Sequence, residues 1–376
     1  MRTRTTFTLG ALALAFVGSS GAGAQESTET RLEPSRAFPG AVYTTSNARG
    51  GNAVLVFDRL PDGRLVPSSS FATGGIGTGG GLGNQGALTL TDNERWLLAV
   101  NAGSNSVSVF SVRPRGLRLT DVEPSGGVLP VSVAVHGRLV YVLNAGSDSI
   151  TGFRLGAAGE LRPLAGSTRA LSGSGTAPAQ IAFRPDGGVL MVTEKATNRI
   201  VTFVVDREGL PGAALVQESN GVTPFGFAFG KRDQVFVSEA FGGAPDASAT
   251  SAYTLGDDGR LETISASVGT NQTANCWVAV TPNGRFAYVT NTGSGSISGY
   301  RIDFDGALEL LDADGRTGVT GGGPIDLALT DGGRFLYSLI SGTNTIAAFR
   351  VRADGSLTAL PFASGLPPGA NGLAVR

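Results

Sequence analysis

The sequence predicts an all-β chain folded as a seven-bladed β-propeller with four antiparallel strands in each blade. Three observations carry this: a repeat of about fifty residues, a glycine turn at a fixed place in every repeat, and an unpaired strand at each end. An aromatic closes a β-rich run at Phe57, Phe110, Phe153, Phe203, Tyr253, Tyr300 and Phe349, with successive spacings of 53, 43, 50, 50, 47 and 49. A leucine follows each aromatic by seven or eight residues, at Leu65, Leu117, Leu161, Leu210, Leu261, Leu308 and Leu357, after a glycine turn. Glycine is abundant at 57 residues, and no long amphipathic helical pattern interrupts the strands.

Four strands can be placed in each repeat. The first is a short apolar run such as "QIAF" (180–183), "WVAV" (277–280) or "DLAL" (326–329). A turn such as "TPNGR" or "TDGGR" supplies the positive φ that a tight hairpin needs. A second strand ("FAYVTN"), a third ("SISGYRI"), a further glycine turn ("FDGAL") and an outer strand complete the unit. The chain ends in "GANGLAVR" (369–376), a first strand with nothing after it, and the repeats begin at "AVYTTSN" (41–47), a second strand with nothing before it. The last strand is therefore expected to complete the first blade and leave no free edge at the seam.

Ahead of the repeats, residues 1–24 read as a secretory signal: a basic start at Arg2 and Arg4, an apolar run from Leu9 to Val17, and Ala22-Gly23-Ala24 before the cut. Residues 25–38 read as a loose leader and 39–376 as the propeller, in a secreted or periplasmic protein without a membrane span. Removing the signal leaves 27 basic against 30 acidic residues, a net charge of −3, which lacks the footprint of a nucleic-acid binder. The one cysteine, Cys276, allows no intramolecular disulfide and reads as a buried small hydrophobe.

In a propeller the second-to-third turns and the loops between blades share one face, around the mouth of the central channel. The residue ending the second strand reads Asn47, Asn101, Asn144, Glu194, Glu239, Asn291 and Ile340 around the ring. Inner strands start at Ala87, Ser132, Gln180, Gly226, Trp277, Asp326 and Gly372. Glu194 and Glu239 are the candidate catalytic residues, because neighbouring carboxylates can push one pKa toward neutrality. Gln180, Asn291, Trp277 and Asp326 are the candidate substrate contacts, two as hydrogen-bond donors, one as an aromatic wall and one as a polar anchor. The structural reading stands beside each: asparagines bonding their own turns, Glu194 pairing with Lys195 or Arg199, Trp277 as packing. No cofactor is expected; a metal would need oxygen ligands from Glu194, Glu239 or Asp326, which suit Ca²⁺ or Mg²⁺.

Other signatures fail. The lone histidine, His136, falls on the opposite face, and "GIGTGG" (75–80) has the dinucleotide spacing without the helix that must follow it. The loop "EAFGGAPDASATSA" (239–252) is longer than its counterparts and can serve as a lid, a partner contact or a plain insertion.

The units "APAQIAFRPDGGVLMVTEKATNRIVTFVVD" (177–206) and "CWVAVTPNGRFAYVTNTGSGSISGYRIDFDGAL" (276–308), with "TPFGFAF" (223–229), "SEA" (238–240) and "PIDLAL" (324–329), resemble the seven-bladed lactonase family of propellers. That family contains 6-phosphogluconolactonase and carboxymuconate cyclase relatives, and the likeness covers nearly all of 38–376. The resemblance implies a lactone-opening hydrolase, yet family members with that activity begin inner strands with a histidine where this chain has Pro178-Ala179-Gln180. Only two lysines, Lys195 and Lys231, are available for a phosphate, so a neutral lactone or related ester is the expected substrate. The alternative is a non-catalytic propeller that binds a small molecule or a protein partner on the same face.

Overall fold

The structure, a computed structural model, describes residues 40–376, so the expected signal sequence and leader lie outside the described residues. Seven sheets follow one another around a ring, each of four antiparallel strands; in blades 3 and 6 the outer strand is broken into two short pieces. One 3-10 turn, Phe241–Gly243, is the helical element among the described residues. None is a helix long and apolar enough to cross a membrane.

Ring closure follows the expected pattern. The C-terminal strand Asn371–Val375 pairs antiparallel with Gly40–Thr45 and becomes the inner strand of blade 1. Reciprocal backbone bonds between Ala41 and Arg376 (3.1 and 2.8 Å) fasten its end. The seam is therefore a hydrogen-bonded sheet rather than a covalent link.

The glycine of each third-to-fourth turn explains why the repeat is kept so regular. Gly63, Gly116, Gly159, Gly209, Gly259, Gly306 and Gly355 all have φ between +80° and +114°, a region that disfavours a side chain. Space forbids a side chain as well: a Cβ on Gly63 would lie 2.3 Å from the Phe335 ring, and one on Gly355 would lie 2.6 Å from Phe286. At Gly63, Gly116, Gly159 and Gly355 the preceding blade thus packs an aromatic against the next blade's turn. The preceding blade also donates a buried hydrogen bond to the turn carbonyl in four places: Tyr141 Oη to Gly209 O (2.7 Å), Thr202 Oγ1 to Gly259 O (2.7 Å), Tyr288 Oη to Gly355 O (2.7 Å) and Tyr337 Oη to Gly63 O (2.8 Å). The apolar residues of second and third strands fill the wedges between blades, where Tyr141, Tyr288, Phe110, Phe203 and Phe349 are almost wholly buried.

Gly63→Ala is expected to cost several kcal/mol, because φ strain and overpacking add there, with overpacking alone about 1–3 kcal/mol. Gly50→Ala, where an added Cβ meets nothing within 4 Å, should stay within about 0.5 kcal/mol of wild type. Urea unfolding of the two variants checks this; equal losses would contradict the packing argument.

Candidate functional site

The six second-strand ends at Asn101, Asn144, Glu194, Glu239, Asn291 and Ile340 sit where expected, on the channel-mouth face. Their side chains act within and between blades. Asn291 donates to Ser296 Oγ and Ser298 Oγ (3.1 and 2.8 Å) on the third strand, and Asn101 donates likewise to Ser106 and Ser108 (3.2 and 2.7 Å). Asn144 reaches the Ser125 carbonyl (3.2 Å). These amides clasp the third strand and the inter-blade loop instead of bonding their own turns, which corrects that expectation.

The two glutamates occupy the same clasp with reversed polarity. Glu194 Oε1 accepts from the Ser172 N–H (2.9 Å), and Oε2 accepts from the hydroxyls of Ser172 and Thr197 (the latter at 2.5 Å). Glu239 Oε1 accepts from the Gly221 N–H (2.9 Å) and Ser251 Oγ (2.5 Å), while Oε2 accepts from Ser267 Oγ (2.7 Å). Every neighbour is a donor, so an acceptor-only carboxylate fits where an amide would turn an N–H₂ toward them. Neither carboxylate retains solvent exposure, and burial raises the Glu239 pKa against the pull of Ser251, Ser267 and the Gly221 N–H. Glu194 pairs with neither neighbouring cation: Arg199 meets Glu218 (3.3 Å), and Lys195 donates to the Gly83 carbonyl. The 239–252 loop forms the 3-10 turn beside Glu239, tied to Thr223 by the Gly242 N–H (3.1 Å).

Gln180, Trp277 and Asp326 lie on an inner ring formed by the starts of the first strands. Backbone bulges there turn a side chain toward the next blade. Gln180 exchanges two bonds with the Phe227 backbone (3.0 and 2.7 Å), linking blade 4 to blade 5. Ser132 Oγ accepts from the Ile181 N–H (3.2 Å) in the same manner. At Gly226 the chain has no side chain to give, and Gln85 fills the place from above, exchanging bonds with the Val278 backbone (2.9 and 3.1 Å). A Cβ at Gly226 would come within 2.1 Å of Gln85 Oε1.

Gln85 belongs to a glycine-rich segment that crosses the mouth of the channel, a feature absent from the sequence-based expectations. Its N–H bonds Ala179 O in blade 4 (3.0 Å), and the Asn84 amide reaches Val131 O in blade 3. The Trp277 indole N–H donates to Asn84 O (2.7 Å) from blade 6. Trp277 is thus buried under this segment, tilted against Phe225 with 4.8 Å between ring centroids. Lys195 lies 4.9 Å from the Phe225 centroid, and burial lowers its pKa to about 8. Burial pushes the Cys276 thiol up to about 12, so it is protonated at neutral pH and is no nucleophile there.

Blade 7 breaks the clasp pattern with Ile340, and an apolar cavity of about 170 Å³ opens there on the mouth face. Ile325, Leu339, Ile340 and Leu366 form its walls; Gly80, Gly81, Ser341 and Asn344 bring polar groups to its lining. Asp326 follows directly on the wall residue Ile325 at a bulge with φ +59°. Its Oδ1 accepts from the Leu327 N–H (2.8 Å). Burial raises its carboxyl from the ordinary 3.8 to about 7, against the downward pull of the Leu327 and Leu373 N–H groups. Among the described residues no three His, Cys, Asp or Glu side chains gather around a point that could hold a metal ion.

The raised Asp326 pKa makes stability pH-dependent. The folded chain keeps a proton that the unfolded chain releases above about 3.8, so stability falls as pH rises from there through about 7. Asp326→Asn should lessen this fall and melt higher than wild type at about pH 8, with a smaller difference at about pH 5. Thermal melts at both pH values check this; an unchanged pH profile would contradict the burial argument.

The profile of the family described as "Lactonase, 7-bladed beta-propeller" matches residues 51–174 and 247–364, more than half of the chain. A comparison with curated proteins finds no match. Among solved structures, a 6-phosphogluconolactonase candidate from Bacteroides fragilis is similar at 20% identity and a TM-score of 0.73, covering 92% of this chain and 100% of that one. Another from Bacteroides uniformis gives 20% and 0.73 over 90% and 99% of the two chains. A protein from Lactobacillus plantarum gives 16% and 0.69 over 90% and 99%. At these identities the likeness is one of fold.

Proposed function

The chain belongs to the seven-bladed lactonase propeller family, and from that premise we propose that it is a lactone hydrolase acting on a small neutral lactone or related ester outside the cytosol. Family membership is the observation that carries the reaction class. The cavity at Ile340 supports the substrate: an apolar hollow of about 150 Å³ holds a molecule of benzene size, which a five- or six-membered lactone matches. The export signal read in residues 1–24 supports the location.

In this proposal Asp326, which adjoins the wall residue Ile325 without itself lining the cavity, is the general base and acts through one water. With a pKa of about 7 it is partly ionised at neutral pH and still basic enough to take a proton. Water adds to the lactone carbonyl as its proton passes to the Asp326 carboxylate. The backbone amides of Gly80 and Gly81 and the side chain of Asn344 serve the developing oxyanion. Collapse of the tetrahedral species breaks the ring C–O bond, and Asp326 returns the proton to the departing alkoxide, leaving a hydroxy acid. Glu194 and Glu239 hold the loops of the mouth from their clasps, with Gln180, Asn291 and Trp277 fixing the blades around it.

One observation favours a second reading, a propeller that binds without catalysis. The segment through Asn84 and Gln85 fills the centre of the mouth, where a propeller ligand would ordinarily rest.

A pH-stat assay with γ- and δ-lactones separates these readings. Wild-type kcat/KM should rise about tenfold per pH unit up to about 7 and then level. Asp326→Asn should lose about 10²–10⁴-fold, whereas Glu194→Gln/Glu239→Gln should keep turnover but melt lower, each lost clasp costing about 1–3 kcal/mol. Collapse of turnover in the double glutamate variant at unchanged melting temperature would return the base role to the glutamates. No turnover on any lactone, with melting shifts on adding one, would favour the binding reading.

A further inference from the structure

The face opposite the channel mouth carries a feature that the lactonase reading does not use. Between blades 6 and 7 lies a hollow of about 530 Å³ lined by Arg285, Arg334 and Arg352, with Asn283, Thr281 and Phe286 beside them and no Asp or Glu in its lining. Among the described residues none of the three guanidinium groups forms a salt bridge, although other arginines on the molecule do, such as Arg184 with Asp186 and Arg376 with Glu94. Asp354 feels Arg352 electrostatically and its carboxylate is occupied by Ser356, while Glu94 and Asp331 lie in the adjoining hollow that Arg334 also lines.

Two of these arginines are held ready. Arg285 lies over the Phe286 ring at 5.3 Å and Arg334 over the Phe335 ring at 5.5 Å. Both come from the same place in successive repeats, the first-to-second turns "TPNGRF" and "TDGGRF". The other turns depart from this pair: "TDNERW" continues with tryptophan, "HGRLV" with leucine, and "RPDGGVL" and "GKRDQVF" have Gly188 and Asp233, not arginine, immediately before the second strand. Arg138, at that place in blade 3, is spent on the Leu155 carbonyl (2.8 Å). Arg352 enters from the third-to-fourth side of blade 7, its Nε bonded to Thr358 (2.9 Å). Stacking an arginine on an aromatic face fixes the plane of its fork and leaves the edge free for an oxyanion. Three guanidinium groups around one hollow, two of them so stacked, in a chain whose net charge is −1, concentrate positive charge locally.

We propose that this hollow is a binding site for a small, multiply charged anion bearing phosphate or carboxylate groups, with Arg285 and Arg334 as paired forks and Arg352 as the third contact. The bonds are charge-assisted and bidentate in kind, so affinity should weaken with salt and fall when a fork is removed. Asn283 and Thr281 are already paired to each other (2.7 Å), which keeps the floor of the hollow neutral.

Isothermal titration of the full chain with inorganic pyrophosphate and, separately, with citrate tests the site. Saturable binding with a Kd below about 1 mM is expected in low salt, with at least a tenfold loss in Arg285→Ala/Arg334→Ala and unchanged lactone turnover in that variant. Binding of one probe alone supports the site and identifies which oxyanion it takes. Absence of saturable binding by either probe overturns the proposal, as does a loss equally large in Arg118→Ala, an exposed arginine on a distant outer strand.

Discussion

The contact between a side chain of one blade and the turn glycine of the next, an aromatic at Gly63, Gly116, Gly159 and Gly355, sets the geometry of the whole ring. At Gly63 and Gly355 the neighbouring phenylalanine approaches so closely that no side chain fits, and the turn's φ is positive at all seven equivalent glycines. The tyrosine and threonine hydroxyls that donate to the glycine carbonyls fix the distance between blades. Because each blade is keyed to the next at its base, the inner strands are brought to a common radius. The mouth of the channel draws its dimensions from those contacts together with the inter-blade bonds of its own inner ring.

With that radius fixed, the inner ring uses one device several times. A bulge residue lends a polar side chain to the backbone of the following inner strand, as Ser132 and Gln180 do. Blade 5 departs by offering Gly226, and the departure makes room for Gln85 to do the same work from the loop above. The mouth is therefore closed on the side of blades 3 to 6, while the apolar space remains at blade 7, where Ile340 replaces a clasp. Asp326 and its raised pKa lie on that side. A buried carboxyl that destabilises the folded chain above its ordinary pKa is a cost that structural packing alone does not require, and the proposed base role would give it a use.

The fold was legible in the sequence because a repeat is a local signal. The seven aromatics, the seven glycine turns and the orphan strand in "GANGLAVR" each need only their neighbours to be recognised, and all seven blades stand where those residues place them. The site was less legible because its determinants are distant. Glu194 differs from Asn291 through Ser172, a donor in an inter-blade loop that no repeat pattern marks, together with Thr197 of its own turn. The crossing segment meets Val278 from 193 residues away in sequence, and its glycines, read alone, indicate only a loop. Gly226 was the one available sign, an inner-strand start without a side chain. The cavity beside Ile340 was likewise announced only as an exception to the ring of polar ends.

If a small neutral lactone is opened in the blade 7 cavity, as proposed, filling that cavity must slow ring opening. Initial rates of ring opening for a γ-lactone by wild type and by Ile340→Trp, which fills the cavity with an indole, test it most directly. Turnover should fall by about 10²-fold or more in a protein that still unfolds cooperatively as a propeller. Equal rates in the two folded proteins would contradict the proposal and move the reaction away from this cavity.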